Sequence, residues 1–153
     1  MRGMTTDSRI HDRLIDVLYV DAMVLADEAR SYFDEGGKSD REGLDPLARV
    51  SFSCESLKVT TRLMHVIAWL LTQRAVGVGE MAPRDALDPS RRLGPAPVSE
   101  PAAVAALPGR AQALIASSAE LYRRVGLLDE AQVGELVVES PVRSMQDRLA
   151  LAF

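Results

Sequence analysis

The sequence predicts an all-α fold: an elongated antiparallel three-helix bundle built around a long central helix. Three observations predict it. Apolar residues recur at three- and four-residue steps in three long segments, no strand-like alternation persists, and prolines and glycines gather between those segments. With 153 residues, 47 % of them hydrophobic, the chain suits one domain with one real core.

The first helix is expected from about Arg9 to Phe33, capped by Asp7 or Ser8. Ile10, Leu14, Leu18, Ala22, Leu25, Ala29 and Tyr32 share one face, with Asp12, Asp16, Met23 and Arg30 on the other side. Asp21 and Glu28 fall at the edge of the apolar arc, where a register-fixing hydrogen bond or ion pair is expected. Gly36 and Gly37 end the helix, and Lys38 to Gly43 reads as a polar loop.

The second helix begins at Asp45-Pro46, with Asp45 as N-cap and Pro46 at the first helical position. No breaker follows until Gly77 and Gly79, so it spans roughly 32 residues, or about 48 Å. Six prolines from Pro83 to Pro108, with Gly94 among them, then make a loop long enough to return the chain along the bundle; Pro83 to Leu87 can form one helical turn. The third helix starts near Pro108, and Ala111, Leu114, Ile115, Ser118, Leu121, Tyr122, Val125 and Leu128 form its stripe. The expected division is a bundle domain over residues 1–128 and a C-terminal tail over 129–153. Within the tail, Ser140-Pro141 opens a possible short helix over 141–152, with Val142, Met145 and Leu149 on one face.

On a helical wheel the second helix gathers Val50, Leu57, Leu63, Met64, Ile67, Ala68, Leu70, Leu71, Ala75 and Val78 into one arc. Val59 and Val66 widen it to roughly 200°, which suits a central helix with more than one neighbour and leaves room for a dimer contact. The opposite arc holds Ser51, Glu55, Lys58, Arg62, His65, Trp69 and Gln73. The only tryptophan thus falls in a polar sector. It is either covered by another helix or the tail, or it anchors a partner beside Lys58 and Arg62. The candidate partner interface is Lys58, Arg62, Trp69 and Gln73, joined by Val142, Met145, Leu149 and Phe153 of the tail.

Catalytic machinery is absent from the motif inventory. His65 and Cys54 stand 11 residues apart, about 16 Å along one helix, too far for one zinc ion. His11 is the only other histidine. Cys54 reads as a buried structural thiol. No G-x-S-x-G or S-x-x-K occurs, and Gly77-Val78-Gly79 is a helix stop without the lysine of a phosphate loop. No catalytic residue, metal or cofactor is expected. One enzymatic alternative survives: Arg62 and Arg74 clamping a dianion between helices.

A net charge of −4 argues against binding a nucleic-acid backbone. The most apolar run, Leu63 to Leu71, is too short to cross a membrane, and Met1 to Ser8 lacks an apolar signal region. A single cysteine fits a reducing cytoplasm.

Several stretches resemble the RcdA family of alphaproteobacterial proteins: Leu25 to Asp34, Glu55 to Met64, Ala68 to Leu71, Gln73 to Ala75, Arg92 to Gly94, Leu107-Pro108 and Leu121 to Val125. The resemblance covers about Leu14 to Asp129 and is most specific over Ser56 to Glu80. It implies a dimeric three-helix bundle with a flexible C-terminal region and no active site. It also implies a cytoplasmic adaptor that acts with a response-regulator partner to deliver cell-cycle substrates to the ClpXP protease. The alternative is a structural homodimeric regulator with another client.

Overall fold

The computed structural model describes residues 6–152, apart from the side chains of residues 6, 136–144 and 147. It contains α1 (Thr6–Ser31), α2 (Lys38–Glu42), α3 (Pro46–Gly77), α4 (Pro101–Ala105) and α5 (Gly109–Ala152). A π-helical turn (Tyr32–Gly36) follows α1, and two 3-10 turns (Asp85–Leu87 and Pro89–Arg91) follow α3. There is no strand among the described residues. α1, α3 and α5 form the expected bundle. α3 is central and packs extensively on both others, while α1 and α5 meet along a much shorter contact.

α1 buries Ile15, Leu18, Ala22 and Ala29, the face its periodicity predicts, although Ile10 lies exposed at its start. At its far end the Tyr32 carbonyl accepts the Gly37 N–H at 2.6 Å. A Cβ on Gly37 would sit 2.8 Å from that carbonyl and 2.9 Å from the Tyr32 ring, so only glycine allows the chain to turn this closely. The Tyr32 hydroxyl donates to Asp40 at 2.8 Å. That tether lies in the Lys38–Gly43 stretch, which winds into the short α2 instead of the expected loop. Phe33 and Phe52 meet edge to face at 5.2 Å between centroids, joining this corner to α3.

α3 starts as expected. The Asp45 carboxylate accepts the Ala48 N–H at 2.8 Å, and Pro46 occupies the first turn. The helix stops at Gly77, and Gly79 adopts φ +79° in the turn beyond it.

Its buried face differs from the wheel. Ala48, Phe52, Glu55, Val59, Arg62, Val66, Trp69 and Gln73 recur at alternating steps of four and three and point inward, with Leu63 and Leu70 beside them. Leu63, Leu70, Val59 and Val66 are buried as expected. Val50, Leu57, Met64, Leu71 and Val78 of the predicted core arc are instead exposed, between 47 % and 71 %. The inversion has a physical cause: polar partners from the rest of the chain cover the polar sector, and no described residue covers the apolar one.

α5 is one helix of 44 residues, about 66 Å long. The expected interruption after Asp129 is absent, and the backbone stays helical through Ser140-Pro141. Asp129 and Gln132 still bond to α3, so the expected boundary at residue 128 falls inside a packed helix. Beyond Val133, the described side chains of α5 are exposed.

Candidate protein-interaction surfaces

Residues 80–100 form a strap that crosses the groove between α3 and α5. Its first anchor is Arg92, whose guanidinium grips the Asp129 carboxylate through Nε and Nη2 at 2.7–3.0 Å. The indole Nε1 of Trp69 donates to the same carboxylate at 3.0 Å, and the Leu93 N–H adds another bond. Burial alone would raise the Asp129 pKa, but the Arg92 and Trp69 hydrogen bonds and the Arg92 charge together hold it below its ordinary value. Asp129 therefore stays ionised inside the molecule.

The second anchor is Arg62. Its Nη1 donates to Ser118 of α5 at 3.2 Å, and its Nη2 donates to the Pro97 carbonyl at 3.0 Å and the Ser99 hydroxyl at 2.6 Å. Ser99 donates in turn to Glu55, and Lys58 bridges Glu55 and the Val98 carbonyl at 3.2 Å each. Burial lowers the Arg62 pKa, opposed by the charge of Glu55. Between the anchors, the Gly94 carbonyl accepts from the Tyr122 hydroxyl and lies 3.3 Å from His65 Nδ1. Leu93, Ala96 and Ser99 are half-buried while Pro95 and Val98 are exposed. That three-residue period is what an extended segment between prolines produces, with one ridge against the bundle.

The predicted interface residues therefore separate. Trp69 is 2 % exposed, Arg62 and Gln73 are also buried, and Lys58 is half-buried. These four serve the junction of strap, α3 and α5, and offer no free surface in the single chain. Gln73 accepts from Gln132 at 2.6 Å, extending the junction along α5. Met145 and Leu149 are exposed on α5. Val142 lies in the α5 backbone, but its side chain, like Phe153, is outside the described residues. Cys54, expected to be buried, is exposed.

Arg62 and Arg74 do not converge. Arg62 faces the strap and α5, whereas Arg74 faces α1, pairing with Asp16 at 3.5 Å and lying 4.6 Å from the Tyr19 ring centroid. The expected partners of Asp21 and Glu28 are likewise absent: both are exposed and form no ion pair among the described residues. Among the described residues no group of three or more His, Cys, Asp or Glu is placed to hold a metal ion. No described helix is long and apolar enough to cross a membrane.

Among the described residues, two open surfaces flank the bundle helices. A groove of about 430 Å³ lies between α1 and α5, lined by Asp21, Leu25, Ala116, Glu120, Leu121 and Arg124. The larger feature is the outer face of α3. From Val50 to Val78 it carries five large apolar side chains at seven-residue intervals, Val50, Leu57, Met64, Leu71 and Val78, all exposed. A helical wheel places Ser53, Cys54, Thr60, Thr61, Ala68 and Ala75 around them, with Arg49 and Arg74 bordering the arc on one side. The α3 hydropathy legible in the sequence pointed to this stripe, but as core; its exposure is decided by the strap sealing the other side.

Comparison with known proteins places the chain. It matches the family described as "Protein of unknown function (DUF1465)" over residues 6–153. Its structure is similar to the crystal structure of RcdA from Caulobacter crescentus CB15, with a TM-score of 0.64 and 36 % sequence identity over 78 % of this chain and 90 % of that one. No curated protein matches. The long central helix, the family match along nearly the whole chain and this structural likeness lead to one assignment: the chain belongs to the RcdA family.

Proposed function

We propose that this protein is a non-enzymatic, cytoplasmic adaptor that acts as a homodimer and helps deliver cell-cycle regulatory substrates to the ClpXP protease. A response-regulator-type protein is its co-adaptor. The observation that carries the protein-binding reading is the uncharged, exposed apolar face of α3. Exposed apolar patches of this extent mark interaction sites in soluble proteins. The family resemblance supplies the protease, the co-adaptor and the class of substrate. The exposed Met145 and Leu149 of α5 lie one helical turn apart, a spacing suited to docking in a partner's groove.

The test is direct binding. The full chain is immobilised and exposed separately and jointly to purified ClpX, a response-regulator protein and a cell-cycle substrate of ClpXP. Retention of at least one component, strengthened when all are present, supports the adaptor role. Retention of none overturns it.

A further inference from the structure

The five exposed apolar residues of α3 read the same in both directions. Val50, Leu57, Met64, Leu71 and Val78 form the series Val, Leu, Met, Leu, Val, with equal seven-residue spacing about Met64. We propose that this stripe is the dimer interface, formed by two α3 helices packed antiparallel across a twofold axis at Met64. It rests on the homodimeric reading above and names the surface that reading requires. In this arrangement Met64 meets the partner's Met64, Leu57 meets the partner's Leu71, and Val50 meets the partner's Val78.

Four features favour a second copy over a different protein. A twofold contact uses one patch on both subunits, so the patch must complement itself. A palindromic series does so in an antiparallel pair, large residue against residue of similar size. The flanking Ser53, Cys54, Thr60, Thr61, Ala68 and Ala75 are small enough for the two backbones to approach closely. The face also hides no unmet polar demand from its threonines: Thr60 donates to the Ser56 carbonyl at 3.1 Å and Thr61 to the Leu57 carbonyl at 3.0 Å. Their hydroxyls can be buried without losing a partner. Finally, no charged residue falls between Thr60 and Cys54 on the wheel; Arg49 and Arg74 border the arc on one side.

A seven-residue repeat drifts about 20° per repeat on a straight helix, so the stripe leans gradually around α3. Val20 and Met23 follow Asp16 at i+4 and i+7, so these two exposed residues continue the apolar surface onto α1 beyond the Arg74–Asp16 ion pair. Their contribution matters because a stable interface needs about 800 Å² from each partner, more than one row of side chains supplies.

The experiment uses the full chain carrying Cys54→Ser, which removes the only native thiol. Met64→Cys in this background is expected to form an intermolecular disulfide readily under mild oxidation. Leu57→Cys alone is expected not to, because 14 residues separate it from its partner's equivalent across the axis, about 21 Å against a disulfide reach of about 7 Å. Mixing Leu57→Cys with Leu71→Cys chains is expected to restore cross-linking. Met64→Lys, with the cation placed on the axis, is expected to weaken dimerisation at least about tenfold by light scattering while the helical circular dichroism is kept. A native chain that stays monomeric by light scattering overturns both this interface and the homodimeric reading. A dimer in which Leu57→Cys alone cross-links, or in which only a cysteine at Met145 does, overturns this interface and leaves the homodimer standing.

Discussion

The indole N–H of Trp69 donates to Asp129 at 3.0 Å, joining the middle of α3 to α5 across sixty residues of chain. Arg92 of the strap closes on the same carboxylate at 2.7 Å, so one buried anion holds three segments together. Asp129→Ala removes the shared acceptor and leaves the Trp69 indole, the Arg92 guanidinium and the Leu93 N–H without their partner. The expected loss is about 2–4 kcal/mol of stability in chemical denaturation. Emission from the only tryptophan is expected to shift to longer wavelength as water gains access to it.

Acid should act through the same site. The Asp129 carboxyl titrates below its ordinary value of 3.8 in the folded chain. Its contribution to stability is therefore complete above pH 4 and lost as pH falls below 3.8 through the depressed folded value. Asp129→Asn, which cannot carry the charge, is expected to show a shallower fall in stability below pH 4 than the native chain. Denaturant midpoints between pH 5 and pH 2.5 measure it.

Alkali should act at the opposite end of the bundle. Burial first, and then the hydrogen bond and charge of Asp40, push the Tyr32 hydroxyl up to about 12. The folded chain keeps this proton when the unfolded chain has lost it, so stability is full below pH 10 and declines as pH rises towards 12. The decline attributable to this group is about 2–3 kcal/mol. Tyr32→Phe should remove that component in denaturant titrations at pH 9, 10.5 and 11.5.

Arg62 is the strap's second anchor, and Arg62→Ala would leave Glu55 buried with less compensation. A destabilisation of about 3–5 kcal/mol is expected. Limited proteolysis should then cut within residues 93–100 faster than in the native chain, and before it cuts the bundle helices.

Truncation after Glu135 tests the far end of α5. The described side chains beyond this point are exposed, so the shortened chain should keep its circular dichroism per helical residue and its melting temperature within a few degrees. Binding to the ClpXP components should weaken. A truncated chain that no longer folds would show that the last turns belong to the core.

Much of the scaffold was legible in the sequence. Asp45 before Pro46 marks the start of α3 because the carboxylate caps and the ring presets φ, and both depend only on near neighbours. The inward face of α1 was legible because its neighbours meet it with apolar surface. The short α2 was not, since it hangs on the Tyr32–Asp40 bond and on the clearance at Gly37. The continuity of α5 was hidden by Ser140-Pro141, a local stop signal that the backbone passes through. The candidate site was least legible. Lys58, Arg62, Trp69 and Gln73 form a polar sector with one tryptophan in it, and their alphabet alone could not say which way they face.

Local pattern thus determined the three long helices, where they begin, and the absence of familiar catalytic motifs, because capping, periodicity and proline chemistry act within a few residues. Tertiary structure decided which side of α3 is inside. A polar face is buried when the rest of the chain brings matching polar groups to it, and here Asp129, Ser118, Ser99 and the Pro97 carbonyl do so from outside α3. With that face satisfied, the apolar stripe from Val50 to Val78 is left at the surface. Hydropathy measures a residue's transfer from water; it contains no record of the partner that the fold delivers.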